Sequence, residues 1–124
     1  MSDLERPGDR GSVTAEIAVA LPALVLMVMA ALGAVAVATA QLRCVDAARE
    51  AARAAARGDT LPVVRSVARQ CAPKQAAVTV TAHGDQVAVA VSANVRLLPG
   101  RGPAIAVQGR AAAAVETGSA GVGR

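Results

Sequence analysis

The sequence contains no phenylalanine, tyrosine or tryptophan. Aromatic side chains normally dominate core energetics, so this chain must be held together by smaller groups. It is nevertheless 54% hydrophobic over 124 residues, because 32 residues are alanine and 19 are valine. A soluble core built from such side chains, at roughly 25 cal/mol per Å² buried, would be weak. A membrane, a disulfide or a partner subunit is therefore expected to contribute. Other shortages narrow the function. Histidine occurs once (His83), lysine once (Lys74), cysteine twice (Cys44 and Cys71), and nine carboxylates are spread along the chain. No phosphate loop, dinucleotide fingerprint, zinc-protease motif, CxxC or nucleophile elbow is present, so enzyme activity, cofactor binding and metal binding are not expected. The net charge of +4 is almost all arginine. Without aromatics to stack on bases, single-stranded nucleic acid is an unsuitable partner.

What is abundant is concentrated. Residues 17–40 (IAVALPALVLMVMAALGAVAVATA) carry no charge. As a helix they extend about 36 Å, enough to cross a hydrocarbon layer of roughly 30 Å. The run is apolar on every side, and so short a chain could not surround it as a soluble core helix. A secretory signal is the main rival, since Ala36-Val37-Ala38 and Ala38-Thr39-Ala40 have small-x-small form. The run, however, is about twice the usual ~7–15 residues of such a signal. It reads as a membrane-spanning helix.

A short polar segment, residues 1–11, precedes it and ends in Gly11. Glu16 stands at the edge of the apolar run and Pro22 six residues further on. An acid at a membrane boundary is costly without a partner and marks a functional candidate. The bland alternative places it among headgroups, favoured by the helix N-terminus. Pro22 removes a backbone hydrogen bond and should loosen the helix locally. Beyond the span, residues 41–57 (QLRCVDAAREAARAAAR) continue as a strong helix former. Arg43, Asp46, Glu50, Arg53 and Arg57 form one polar stripe, with Asp46–Arg49 and Glu50–Arg53 as pairing candidates. The stripe reads first as a solvated face, and otherwise as a subunit or polyanion contact. Cys44, Ala48, Ala51 and Ala55 make a small-residue face opposite.

Gly58-Asp59-Thr60 ends this helix, and Leu61 to Cys71 fits a second, with Thr60 or Asp59 as cap and Pro62 in the first turn. Cys44 precedes Gly58 by 14 residues and Cys71 follows it by 13. An antiparallel helix pair would bring the two to one level, so a Cys44–Cys71 disulfide is expected, worth about 3.5 kcal/mol on the chain-entropy account. Two buried free thiols are the alternative. The last third alternates as strands do. A Gly84-Asp85 turn pairs Ala82 with Val87, Val80 with Val89 and Val78 with Val91. Alternation continues to Leu97, the stretch 99–103 forces a loop, and Ile105 to Val115 suggest a third strand with Gly109 as a bulge. His83 reads as an ordinary loop residue.

The segment Gly11-Ser12-Val13-Thr14-Ala15-Glu16 followed by an apolar helix resembles the processing site of type IV pilins and pseudopilins. Glu16 with Pro22, together with the run from Asp46 to Arg53, resembles more narrowly the TadE-like family of minor pilins and pseudopilins of the Tad (tight adherence) pilus machinery. The resemblance implies cleavage after Gly11 by a prepilin peptidase, leaving Ser12 as the first residue and retaining Glu16. It also implies assembly with other pilins and the Tad platform, into a pilus or secretion pseudopilus. Ser12's new amine would lie about 6 Å along the axis from Glu16, close enough for mutual neutralisation. The implied architecture is α+β and type IV pilin-like. A long N-terminal helix passes through membrane lipid and carries a head with a short second helix and a three-stranded antiparallel sheet. The expected divisions are a leader at 1–11, a transmembrane helix at 12–40, an extracytoplasmic head at 41–116 and a flexible tail at 117–124. Arginine counts alone would place the head in the cytoplasm. The paired acids, the length of the head, the expected disulfide and the resemblance favour the N-terminus inside and the head outside the cytoplasmic membrane. The alternative function is a conventionally exported or anchored small binding domain.

Overall fold

The computed structural model describes residues 9–98 and 100–115. The expected leader lies outside the described residues except at its end, and the expected tail lies outside them entirely. Helix α1 runs from Asp9 to Ala56. Its 48 residues extend about 72 Å. Pro22 lies inside it and interrupts nothing, although the carbonyl of Ala18 is left without the N–H that would normally face it. The helix ends on Gly58 at φ +84°, where Gly58 N donates to Ala55 O (3.0 Å) and Asp59 N to Ala54 O (3.2 Å). This is a Schellman stop, for which a glycine at positive φ is the ordinary choice.

Helix α2 spans Leu61–Cys71, the range read from the sequence. Thr60 is its N-cap through the backbone: Val64 N donates to Thr60 O at 3.0 Å, and the threonine side chain makes no capping bond. Strands β1 (Ala77–His83), β2 (Gln86–Arg96) and β3 (Ala104–Ala114) form an antiparallel sheet in chain order. The first hairpin has the expected register, with Val78 opposite Val91, Val80 opposite Val89 and Ala82 opposite Val87. Gly84 at φ +61° supplies the positive first position that a type II′ turn needs.

The architecture is thus the expected α+β one: a long apolar N-terminal helix, a short second helix and a three-stranded antiparallel sheet. The far half of α1 lies across β2 and β3, while α2 packs against α1 and touches β1. One face of the sheet is covered. Val87, Val89, Val91 and Ala93 of β2, and Val107 of β3, meet Cys44, Ala47, Ala48, Ala51 and Ala55 of α1 and Val64 and Ala68 of α2. The other face, including Thr81 and Ala88, is exposed. Branched valines on a flat sheet against an alanine-lined helix fill space without large side chains. That is how a chain lacking aromatics forms a core.

Two expectations require correction here. Gly109 is not a bulge: it pairs directly with Val91 in an unbroken register that runs from Gln86–Ala114 to Arg96–Ala104. Its purpose is clearance, because a Cβ at Gly109 would overlap the Cys44 carbonyl and the Val45 nitrogen. The Cys44–Cys71 disulfide is also absent, both cysteines being free thiols. Equal spacing from Gly58 does not set the direction in which either side chain points. Cys44 faces the sheet at the Gly109 approach and is fully buried, whereas Cys71 lies exposed at the end of α2.

Candidate functional site

The expected processing and assembly residues all lie on the N-terminal part of α1. Gly11, Ser12, Glu16 and Pro22 are exposed. The Gly11–Ser12 bond lies in the first turn, where backbone N–H groups have no intrahelical partners. Nothing lies within 4 Å of a Cβ built on Gly11, and glycine weakens a helix by about 1 kcal/mol relative to alanine. The first turn therefore opens at little cost. Glu16 makes no ion pair among the described residues.

Around these residues the helix is bare. Val13, Ile17, Val19, Leu21, Leu24 and Leu26 are each more than half exposed. The segment from Gly11 is long and apolar enough to cross a membrane, and almost none of its most apolar part is buried. A soluble core helix of this length would be mostly covered. The change comes within two turns. Gly33 is buried, Val37 half-buried and Ala40 buried, and from Cys44 onward the helix packs against the head. One helix thus serves as a naked apolar rod and as the spine of a folded head.

Gln41 fastens the junction. Its Nε2 donates to Gln108 O at 2.8 Å, and Gln108 N donates to its Oε1 at 3.0 Å. β3 is an edge strand, so the side-chain amide takes the place of a neighbouring strand at one residue. Below Gln41, Leu97 of the β2–β3 loop sits on Gly33, with its Cδ2 3.0 Å from where a Cβ would be. Neither contact was read from the sequence. A lone glutamine and a lone glycine carry no periodic signal, and their partners are far along the chain.

The polar stripe is a solvated face. Arg43, Asp46, Arg53 and Arg57 are exposed, Glu50 pairs with Arg53 (3.4 Å), and Arg57 pairs with Asp59 (3.3 Å). The Asp46–Arg49 pair does not form among the described residues. Such exposed pairs contribute little to stability. Burial pushes the Cys44 thiol above its ordinary range. His83 is exposed at the end of β1 opposite Gln86.

Comparison with known proteins bears on this arrangement. A family profile described as TadE-like protein matches residues 11–53, which is the bare part of α1 and most of its extension. A protein of Mycobacterium tuberculosis described as an apoptosis inhibitor is 42% identical over 104 residues, 84% of this chain and 79% of that protein. No solved structure matches the chain.

Proposed function

The chain belongs to the TadE-like family of Tad-pilus-associated proteins, and on that footing we propose that it is a minor pilin or pseudopilin. In this reading a prepilin peptidase cuts after Gly11, and Ser12 becomes the mature N-terminus. The bare helix holds the protein in the cytoplasmic membrane, with its N-terminus inside and its head outside, until it is drawn into a growing pilus or pseudopilus. The observation that carries the reading is the coincidence of Gly11 and Glu16 with the start of a bare apolar rod whose far half carries a folded head. An enzyme needs no such rod, whereas a subunit packed by its helix among other helices does.

Glu16 would act by charge. Cleavage creates an ammonium group at Ser12, one turn from the Glu16 carboxylate. Each is expensive to bury alone and far less so as a pair. Within one subunit the pair lets the N-terminus enter lipid, and between subunits it sets the register of a newly added helix. Pro22, with its open carbonyl at Ala18, leaves a place where the rod can bend as it leaves lipid for the fibre. The test is genetic. In a strain producing the Tad system, deletion of this protein should abolish or sharply reduce surface pili, and the native chain should restore them while Glu16→Leu should not. Unchanged piliation on deletion would refute the proposal.

A second reading rests on one observation, the 42% identity to the relative described as an apoptosis inhibitor. Transferred to this chain, it predicts that the full protein suppresses induced apoptosis when expressed in host cells, irrespective of Gly11→Ala. The pilin reading predicts no such effect.

A further inference from the structure

The point where head meets helix is too low for a head that simply stands above a membrane. The apolar stretch of 24 residues that ends before Gln41, 17–40, is about 36 Å long, against roughly 30 Å of hydrocarbon. Wherever that layer is placed within the stretch, its boundary on the head's side falls between Ala36 and Ala40. Gly33 then lies about 5–10 Å inside it. Leu97 rests on Gly33, so the β2–β3 loop is carried below the boundary with it. Its neighbours suit that depth. Leu97, Leu98 and Ile105 are 36%, 43% and 39% exposed. With Leu26, Met29 and Val37 of the helix they line an apolar groove of about 800 Å³.

The charges lie at the complementary height. Ten residues up the helix from Gly33, about 15 Å, Arg43 joins Arg69 and Lys74 around a second cavity of about 490 Å³ that no carboxylate lines. This level is about 5–10 Å on the water side of the boundary, at the depth of lipid phosphates in a bilayer about 40–45 Å thick overall. Arg96 and Arg101 flank the apolar loop tip from either side.

We propose that the head is itself a membrane-docking unit. In the membrane-held protein the β2–β3 loop enters the adjacent leaflet, phospholipid acyl chains fill the groove between Leu98, Ile105 and Met29, and anionic headgroups meet Arg43, Arg69 and Lys74. The occupant is lipid because the groove is continuous with the bare face of the spanning helix, and its charged counterpart is purely cationic. Two shallow signals of this kind, an apolar wedge and a basic patch, act together at an interface. The head would then be fixed in height and rotation before assembly, and would have to release lipid when its helix is withdrawn. The proposal rests on the spanning reading of α1.

The absence of tryptophan from the chain makes the test clean. Single variants Leu98→Trp and Ile105→Trp of the full chain would be reconstituted in bilayers of phosphatidylcholine and phosphatidylglycerol, with or without bromine on the acyl chains. Leu24→Trp in the span and His83→Trp at the far end of the sheet serve as references. Emission from Leu98→Trp and Ile105→Trp should be blue-shifted relative to His83→Trp and lose about half its intensity to acyl bromine, as a probe ~5–10 Å below the boundary must. Unquenched, water-like emission from both, with Leu24→Trp quenched, would overturn the inference and leave the span intact. Blue emission that acyl bromine does not quench, and that turns water-like on dilution in excess lipid, would assign the groove to a second copy and equally overturn it. An unquenched Leu24→Trp would instead refute the span on which the proposal rests.

Discussion

Gln41 and Gln108, 67 positions apart, exchange two hydrogen bonds, the side chain of one reading the backbone of the other. The bond pair lies where the bare apolar rod becomes the spine of the folded head. It also occupies backbone groups on an edge strand that would otherwise invite another chain. Replacing Gln41 by leucine should lower the stability of the head by about 1 kcal/mol, the ordinary net worth of such bonds where water can replace them. Denaturation of the micelle-solubilised protein followed by circular dichroism checks this. An unchanged midpoint would mean that the contact is incidental.

Gly109→Ala should be far more damaging. The added methyl has nowhere to go except into the Cys44 carbonyl, so strand and helix must part along the centre of the core. Overpacking of this kind costs about 1–3 kcal/mol, and more where backbone blocks backbone. A loss of about 3 kcal/mol or more is expected in the same assay. Gly11→Ala, which meets open space, should leave the head's stability unchanged.

The two thiols should behave oppositely. Cys71 should react promptly with an aqueous thiol reagent at mildly alkaline pH, and Cys44 only after unfolding. Because burial raises the Cys44 thiol in the folded state, folding favours the protonated form. This contribution is complete below the unfolded thiol's pKa of about 8.5 and fades as pH rises through the folded value. The native protein should therefore lose stability relative to Cys44→Ala above that pH, and not below it. A stability difference that is flat from neutral to strongly alkaline pH would show that Cys44 is not desolvated.

Glu16→Gln should separate assembly from folding. Glu16 is exposed on the rod and has no ion pair among the described residues, so melting of the head should not change. If cleavage occurs as proposed, leaving the Ser12 ammonium buried without its partner costs about 3–5 kcal/mol, which at about 1.4 kcal/mol per tenfold reduces the amount of assembled protein by about a hundredfold or more. Sheared-pilus fractions probed for this chain, beside its membrane pool, give that ratio directly. Equal assembly of both forms would remove Glu16 from the mechanism.

Much of this architecture was legible in the sequence because it rests on local patterns. The range of α2 followed from its apolar spacing and from the glycine before it, and the β1–β2 register from strict alternation around Gly84-Asp85. The bare rod was plain from an uncharged run no small head could cover. What escaped was decided by distant contacts. Gly109 looked like a flaw in a strand because its reason, the Cys44 backbone, lies on another element. The disulfide failed for a related reason: spacing from Gly58 locates a residue along a helix, while its rotation about the axis depends on what packs there. The alternation that ends at Leu97 gives no sign that this side chain sits against Gly33 of α1.

The mature N-terminus tests the central claim most directly. The protein would be expressed in full with its cognate prepilin peptidase, isolated from the membrane fraction, and its first residue read by N-terminal sequencing and intact mass. The account predicts a chain beginning at Ser12, and an uncut chain when Gly11→Ala is introduced or the peptidase is left out. A mature chain beginning at residue 39 or later, or one that keeps Met1 beside an active peptidase, would contradict it.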